Sequence, residues 1–131
     1  MIPLQTAMRV LIFSSDILPY PGLPTVGSGL RSWGLGQALK NRGHEVVFSM
    51  PRAVLRGRKG LIPREVATLT WQWHNMHEIV QDVDPDIVIV CNWPLLDLMD
   101  AEKLEVPIVL DQAGPHLLER EFQGFGRQEN N

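Results

Sequence analysis

The chain has 131 residues, 44% hydrophobic and 21% charged, a balance that fits one globular domain and argues against wholesale disorder. Its net charge of -3 argues against a strongly basic nucleic-acid binder, and its one cysteine, Cys91, excludes an intrachain disulfide and fits a reducing compartment. No apolar run reaches the ~18 to 20 residues of a membrane span, and the start, MIPLQTAM, lacks the basic and long apolar stretches of a signal peptide.

Residues 1–7 read as a disordered leader. The run MRVLIFS at 8–14 is apolar and β-branched, which suits a strand buried on both faces of a parallel sheet. Residues 16–28 hold three prolines and two glycines, so they form a long strand-to-helix loop. A helix is expected over 29–42, with Leu30, Trp33, Ala38 and Leu39 on one face and Arg31, Gln37, Lys40 and Asn41 largely opposite. Arg42 in its last turn and Gly43 after it supply the stop. HEVVFSM at 44–50 is the second strand, which completes a βαβ unit.

Residues 51–63 form a basic loop carrying Arg52, Arg56, Arg58 and Lys59, with Arg64 just beyond. The spacing of Val66, Leu69, Trp73, Met76, Val80 and Val83, widened by Ile79, predicts one helix over 64–83, framed by Pro63 and Pro85. DIVIVC at 86–91 is a third buried strand. Asn92 caps a short helix with Pro94 in its first turn, running to about Lys103. VPIVLD at 106–111 is a fourth strand. Beyond it come a turn, one helical turn at 116–122 and a polar flexible tail over 123–131. The alternation gives an α/β fold, a Rossmann-like three-layer α/β/α domain spanning 8–122 with a mainly parallel sheet of about four to five strands. Right-handed crossovers place the first strand centrally, and ligands in such sheets bind beyond the carboxyl ends of the strands.

Those carboxyl ends direct attention to GSGLRSWGLG at 27–36. Gly27, Ser28 and Gly29 precede or open a helix, where free backbone N–H groups and the helix dipole favour an anion, and Arg31 adds a positive charge. Equally, the glycines could serve only the turn, with Gly34 and Gly36 marking close helix–sheet packing. The dinucleotide fingerprint fails, because Ser32 stands where its third glycine belongs and the second strand ends in Phe48-Ser49-Met50 without an acidic residue. No Gly-Lys-Ser/Thr follows, which excludes a P-loop.

Other candidates are His116, for a sugar hydroxyl or as a solvent-facing helix-start residue, and Asp111, for orienting a ligand or capping the following turn. Trp93 could stack on a sugar ring or cover the core. His74 and His77 lack the zincin pattern and read as a solvated face, so no metal is expected. Trp71 could cover a domain or partner surface, and Cys91 reads as a small core residue. The basic loop could meet an anionic lipid surface or a phosphorylated acceptor, or simply be solvated.

Taken in order, MRVLIFSSDILPYPG, GSGLRSWGLGQALKNRGHEVVF, PDIVIVCNWP and VPIVLDQAGPHLLERE resemble the N-terminal domain of retaining GT-B fold glycosyltransferases, of the family 4-like kind, over most of residues 8–121. RGHEV is the most telling of these motifs. The resemblance implies a pair of Rossmann-like domains flanking a cleft, with this chain as the acceptor-side one and the donor half absent. It implies transfer of a sugar from a nucleotide sugar to an acceptor hydroxyl, no resident cofactor, and a chain inactive by itself. Implied partners are a donor-domain chain or a second copy, and a sugar or lipid-linked acceptor, but no nucleic acid. The implied location is cytoplasmic, peripheral to a membrane if Arg52, Arg56, Arg58 and Lys59 touch one. Gly27 and Gly29 match the family loop near the donor phosphates or acceptor. Where many members place a His before a Gly, this chain has Ala113 before Gly114, with His116 nearby as a substitute. The other reading is a non-catalytic α/β module that binds or regulates a partner.

Overall fold

A computed structural model describes residues 7–111. Four strands, β1 (Arg9–Phe13), β2 (Glu45–Ser49), β3 (Ile87–Val90) and β4 (Ile108–Leu110), form one sheet in the order β2-β1-β3-β4. All three pairings are parallel. β1 is central: the chain leaves it to β2 on one side and returns to β3 on the other, which puts the topological switch between β1 and β3. Parallel pairing requires crossovers, and α1 (Gly27–Asn41), α2 (Arg64–Ala67), α3 (Met76–Val83) and α4 (Pro94–Leu98) lie within them.

Because side chains alternate along a strand, the two faces of the sheet carry two cores. Leu11 and Phe13 of β1 with Val88 and Val90 of β3 pack against Met76, Ile79, Val80 and Val83 of α3 and against Leu95 and Met99. Val10, Ile12 and Ile89 face the other way, with Ile17, Leu18, Phe48 and Met50, and with Trp33, Leu35 and Leu39 of α1 packed against them. The result is the three-layer α/β/α architecture. Each fully buried aliphatic side chain contributes about 1.5–3 kcal/mol of transfer free energy, which is why both strand faces are apolar.

Three helix expectations are corrected. α1 starts at Gly27, and its buried positions are Gly29, Ser32 and Gly36, whereas Leu30 and Ala38 are exposed. The helix sits on its small residues because the sheet comes close: a Cβ on Gly36 would lie 2.1 Å from Phe48 Cζ. Gly34 faces open space and is not a packing glycine.

The single helix expected over 64–83 is two helices, α2 and α3, with an extended break between them. Tertiary pairing overrides the apolar period there. Trp71 N donates to Met50 O and Arg52 N to Trp71 O, both at 2.9 Å, so residue 71 pairs in parallel beyond the end of β2. Asn75 locks the turn: its Oδ1 accepts from Gln72 N at 2.6 Å and its Nδ2 donates to Thr70 O at 3.1 Å. Met76, Ile79, Val80 and Val83 are buried as the spacing requires, but Trp73 is 72% exposed.

α4 ends at Leu98 rather than near Lys103. Asp100 adopts φ 48°, which breaks the helix before a 3-10 turn over Ala101–Lys103. The N-cap position is Trp93 and not Asn92, although Asn92 Oδ1, one residue earlier, accepts from Leu95 N at 3.2 Å.

Candidate functional site

The carboxyl ends of β1, β3 and β4 meet the first turn of α1. The loop after β1 is fastened at its root. Ser14 N donates to Ser49 O at 2.8 Å, Ser14 Oγ donates to Asp16 O at 2.7 Å, and Ser14 O accepts the Trp71 indole N–H at 2.7 Å. The loop then runs against α1, where Tyr20 meets Trp33 edge-on with centroids 5.2 Å apart and Trp33 stacks on Phe48 at 5.1 Å.

The two glycines singled out from the sequence do different things. Gly29 is buried, and a Cβ there would lie 1.8 Å from Ile17 O, so this glycine lets α1 pack on the loop backbone. Gly27 has open space around its missing Cβ. Ser28 is exposed beside it. α1 has no side-chain cap and no acidic residue in its first turn, so the amide end of the helix is left to other partners.

Arg31 and Asp111 come together. Arg31 Nε donates to Asp111 Oδ2 at 3.0 Å and Arg31 Nη2 to Oδ1 at 2.9 Å, a two-pronged pair spanning from α1 to the end of β4. Asp111's hydrogen bond and charge hold the Arg31 guanidinium above its ordinary pKa. The cation expected to serve an anion is therefore compensated by a carboxylate from the chain itself.

Beneath this pair, Ser32 is fully buried, and its Oγ donates to Ser28 O at 3.1 Å. Cys91, following β3, lies beside it. Burial pushes the thiol up, opposed by the Ser32 hydrogen bond, so Cys91 stays a neutral thiol and is a poor nucleophile. Trp93 stands at the start of α4 with 41% of its surface exposed. This end of the sheet offers a guanidinium–carboxylate fork, hydroxyls, helix amides and an exposed indole. The chemistry of such groups suits holding a polar ligand, and the cysteine among them is a neutral thiol.

His116, Ala113 and Gly114 lie outside the described residues, as do residues 1–6 of the leader expected over 1–7, the helical turn at 116–122, the tail at 123–131 and the side chain of Lys59. His77 is directed at Met99 O, and His74 lies tilted against Trp73 with ring centroids 5.0 Å apart. Among the described residues no group of three or more His, Cys, Asp or Glu is placed to hold a metal ion. Likewise, among the described residues no helix is long and apolar enough to cross a membrane.

No family model, no curated protein and no solved structure matches the chain.

The basic loop is more ordered than its composition suggests. It folds into two 3-10 turns, Arg52–Leu55 and Lys59–Leu61. Arg52 donates to Thr70 Oγ1 at 3.2 Å and to Gln72 Oε1 at 3.1 Å, and Arg58 to Val54 O at 3.2 Å. Between these turns and the 64–73 segment lies a cleft of about 980 Å³, lined in part by Arg52, Arg56, Arg64, Thr68, Gln72 and Trp73. Sequence reasoning missed this cleft because it assigned Trp73 to a buried helical stripe. The available signal was the β-branched pair Thr68 and Thr70 followed by Asn75, residues that favour turns over helix interiors.

Proposed function

We propose that residues 8–111 form the acceptor-side domain of a glycosyltransferase, which holds a hydroxyl-bearing acceptor while a second α/β unit presents a nucleotide sugar. The observation that carries this reading is the crowding of the α1 start, Arg31, Asp111 and Trp93 onto the carboxyl end of a β2-β1-β3-β4 parallel sheet, where such folds take ligands. The neutral Cys91 thiol fits a domain that contributes positioning, with the leaving diphosphate stabilised from the opposite wall. Leu30 at 48% exposure beside the α1 start and Trp93 at the α4 start supply the apolar rim that an opposite wall would cover.

The test is to search the same genome for an adjoining reading frame that encodes a donor-binding α/β unit, co-express the two chains and assay sugar transfer from nucleotide sugars to added acceptors. Transfer that falls when Asp111 is replaced by Ala supports the reading. No transfer, together with no shift of the Trp93 indole resonance by any acceptor, overturns it in favour of a non-catalytic partner-binding module.

A further inference from the structure

The cleft beside β2 stands apart from the switch-point residues and has its own chemistry. Three arginines, Arg52, Arg56 and Arg64, line it. Among the described residues the ion pairs are Arg9–Glu45, Arg31–Asp111 and Lys103–Asp100, and none of them involves these three arginines. Arg52 gives two of its five donors to Thr70 and Gln72, which fixes its plane and leaves donors over. Arginines gathered in a concavity attract an anion, and the planar fork suits phosphate oxygens.

Trp73 adds the second element. It is 72% exposed although it lines the same cleft; His74 lies tilted against it, and its large exposed surface leaves room for a ligand ring to stack. The second indole of the wall, Trp71, is half-buried and has its N–H bonded to Ser14 O, so Trp73 is the more exposed of the two aromatic surfaces. The wall also carries the Gln72 amide, whose oxygen accepts from Arg52 and whose NH2 stays available, and the Thr68 hydroxyl, which donates to Glu65 O and can still accept; both suit ring hydroxyls. A volume of about 980 Å³ far exceeds a bare phosphate.

We propose that this cleft binds a phosphorylated sugar, with the phosphate on Arg56 and Arg64 beside the fixed Arg52, and the sugar ring on Trp73. The same chemistry is presented by a free sugar phosphate and by the headgroup of a sugar-phosphate lipid. The proposal does not depend on glycosyl transfer.

Glucose 6-phosphate, glucose and inorganic phosphate are titrated separately into the full chain by calorimetry, with the indole resonances followed by NMR. Phosphatidylcholine vesicles with and without phosphatidylinositol form the lipid arm. Glucose 6-phosphate should bind about tenfold more tightly than glucose or phosphate and move the Trp73 indole signal. The double variant Arg56→Ala/Arg64→Ala should lose roughly tenfold or more in affinity. Trp73→Ala should weaken binding several-fold, and Trp73→Phe, which keeps a ring, should restore most of it. Both arginines and Trp73 are exposed, so circular dichroism of the variants should match the parent. Arginine-dependent binding to phosphatidylinositol vesicles alone would assign the lipid-borne source. The proposal is overturned if neither source binds, if inorganic phosphate binds as tightly as glucose 6-phosphate, or if the arginine double variant binds unchanged.

Discussion

Arg31 and Asp111, eighty positions apart in the chain, close a two-pronged ion pair at 2.9 and 3.0 Å between the first turn of α1 and the end of β4. The pair bridges the switch between β1 and β3, and it decides whether the amide end of α1 acts with a free cation. Asp111→Asn removes the competing charge and leaves Arg31 to any anion at Gly27 and Ser28. Phosphate binding, read from the Gly27 and Ser28 amide resonances, should tighten roughly threefold to tenfold in Asp111→Asn and be lost in Arg31→Ala. Because Arg31 is solvent-exposed, the melting temperature of either variant should move by only about 3 °C or less. Unchanged phosphate binding in both variants would assign the pair a purely structural role.

The glycines of α1 should separate into distinct stability classes. Gly34→Ala faces open space inside a helix and should stabilise by about 0.5–1 kcal/mol. Gly36→Ala drives a methyl into Phe48, itself stacked on Trp33, and should cost about 1–3 kcal/mol. Gly29→Ala meets the Ile17 carbonyl oxygen, a backbone atom that cannot rotate aside, and should cost more than Gly36→Ala. Gly27→Val, in open space, should leave stability almost unchanged, so any loss of ligand binding in that variant reports on the site and not the fold. Urea midpoints at constant slope would check all four.

The break between α2 and α3 rests on Trp71. Trp71→Phe keeps the ring but strips the hydrogen bond from Ser14 O, a carbonyl at the root of the β1 loop, and should cost about 1–3 kcal/mol. Asn75→Ala unties Gln72 N and Thr70 O and should cost a similar amount. Trp73→Ala, at an exposed position, should leave the urea midpoint nearly unmoved. A large loss there would show that Trp73 is core after all.

These positions also show where the sequence was readable. The strands were, because runs such as VLIF and IVIV are apolar at every position, and only a sheet covered on both faces accommodates that. Their alternation with helices fixed the parallel order with β1 inside. The α2–α3 break was not readable, because the apolar period of Val66, Leu69, Trp73 and Met76 runs straight through it; what ends the helix is a pairing with Met50 and Arg52 some twenty residues earlier. The buried face of α1 was missed because contact is made by glycines and a serine, which carry no hydrophobic signal. Of the candidate site, Arg31 and Asp111 were each singled out, but nothing in their spacing shows that they meet.

Alkaline pH should weaken the fold through two groups. Burial pushes the Cys91 thiol above its ordinary value of 9.0. Burial, and secondarily the charge of Glu65, pushes the Tyr20 phenol above 10.0. In both cases the folded state holds the proton more tightly than the unfolded chain does. Each contribution is therefore fully present below the unfolded value and is lost as pH rises through it towards the folded value. Stability should be level with respect to these groups up to about pH 8 and fall above it, first from Cys91 and then from Tyr20. Arg9 and Arg31 are also raised, by Glu45 and Asp111, from an ordinary value already above that window, so they do not titrate in it. Urea midpoints measured from neutral pH into the alkaline range should decline less steeply in Cys91→Ala, and Tyr20→Phe, which keeps the edge-on ring against Trp33, should flatten the upper part of the decline. An alkaline decline equally steep in the double variant would show that neither proton is the cause. Slow reaction of Cys91 with iodoacetamide near pH 8, accelerating to the free-thiol rate in urea, would check the thiol independently.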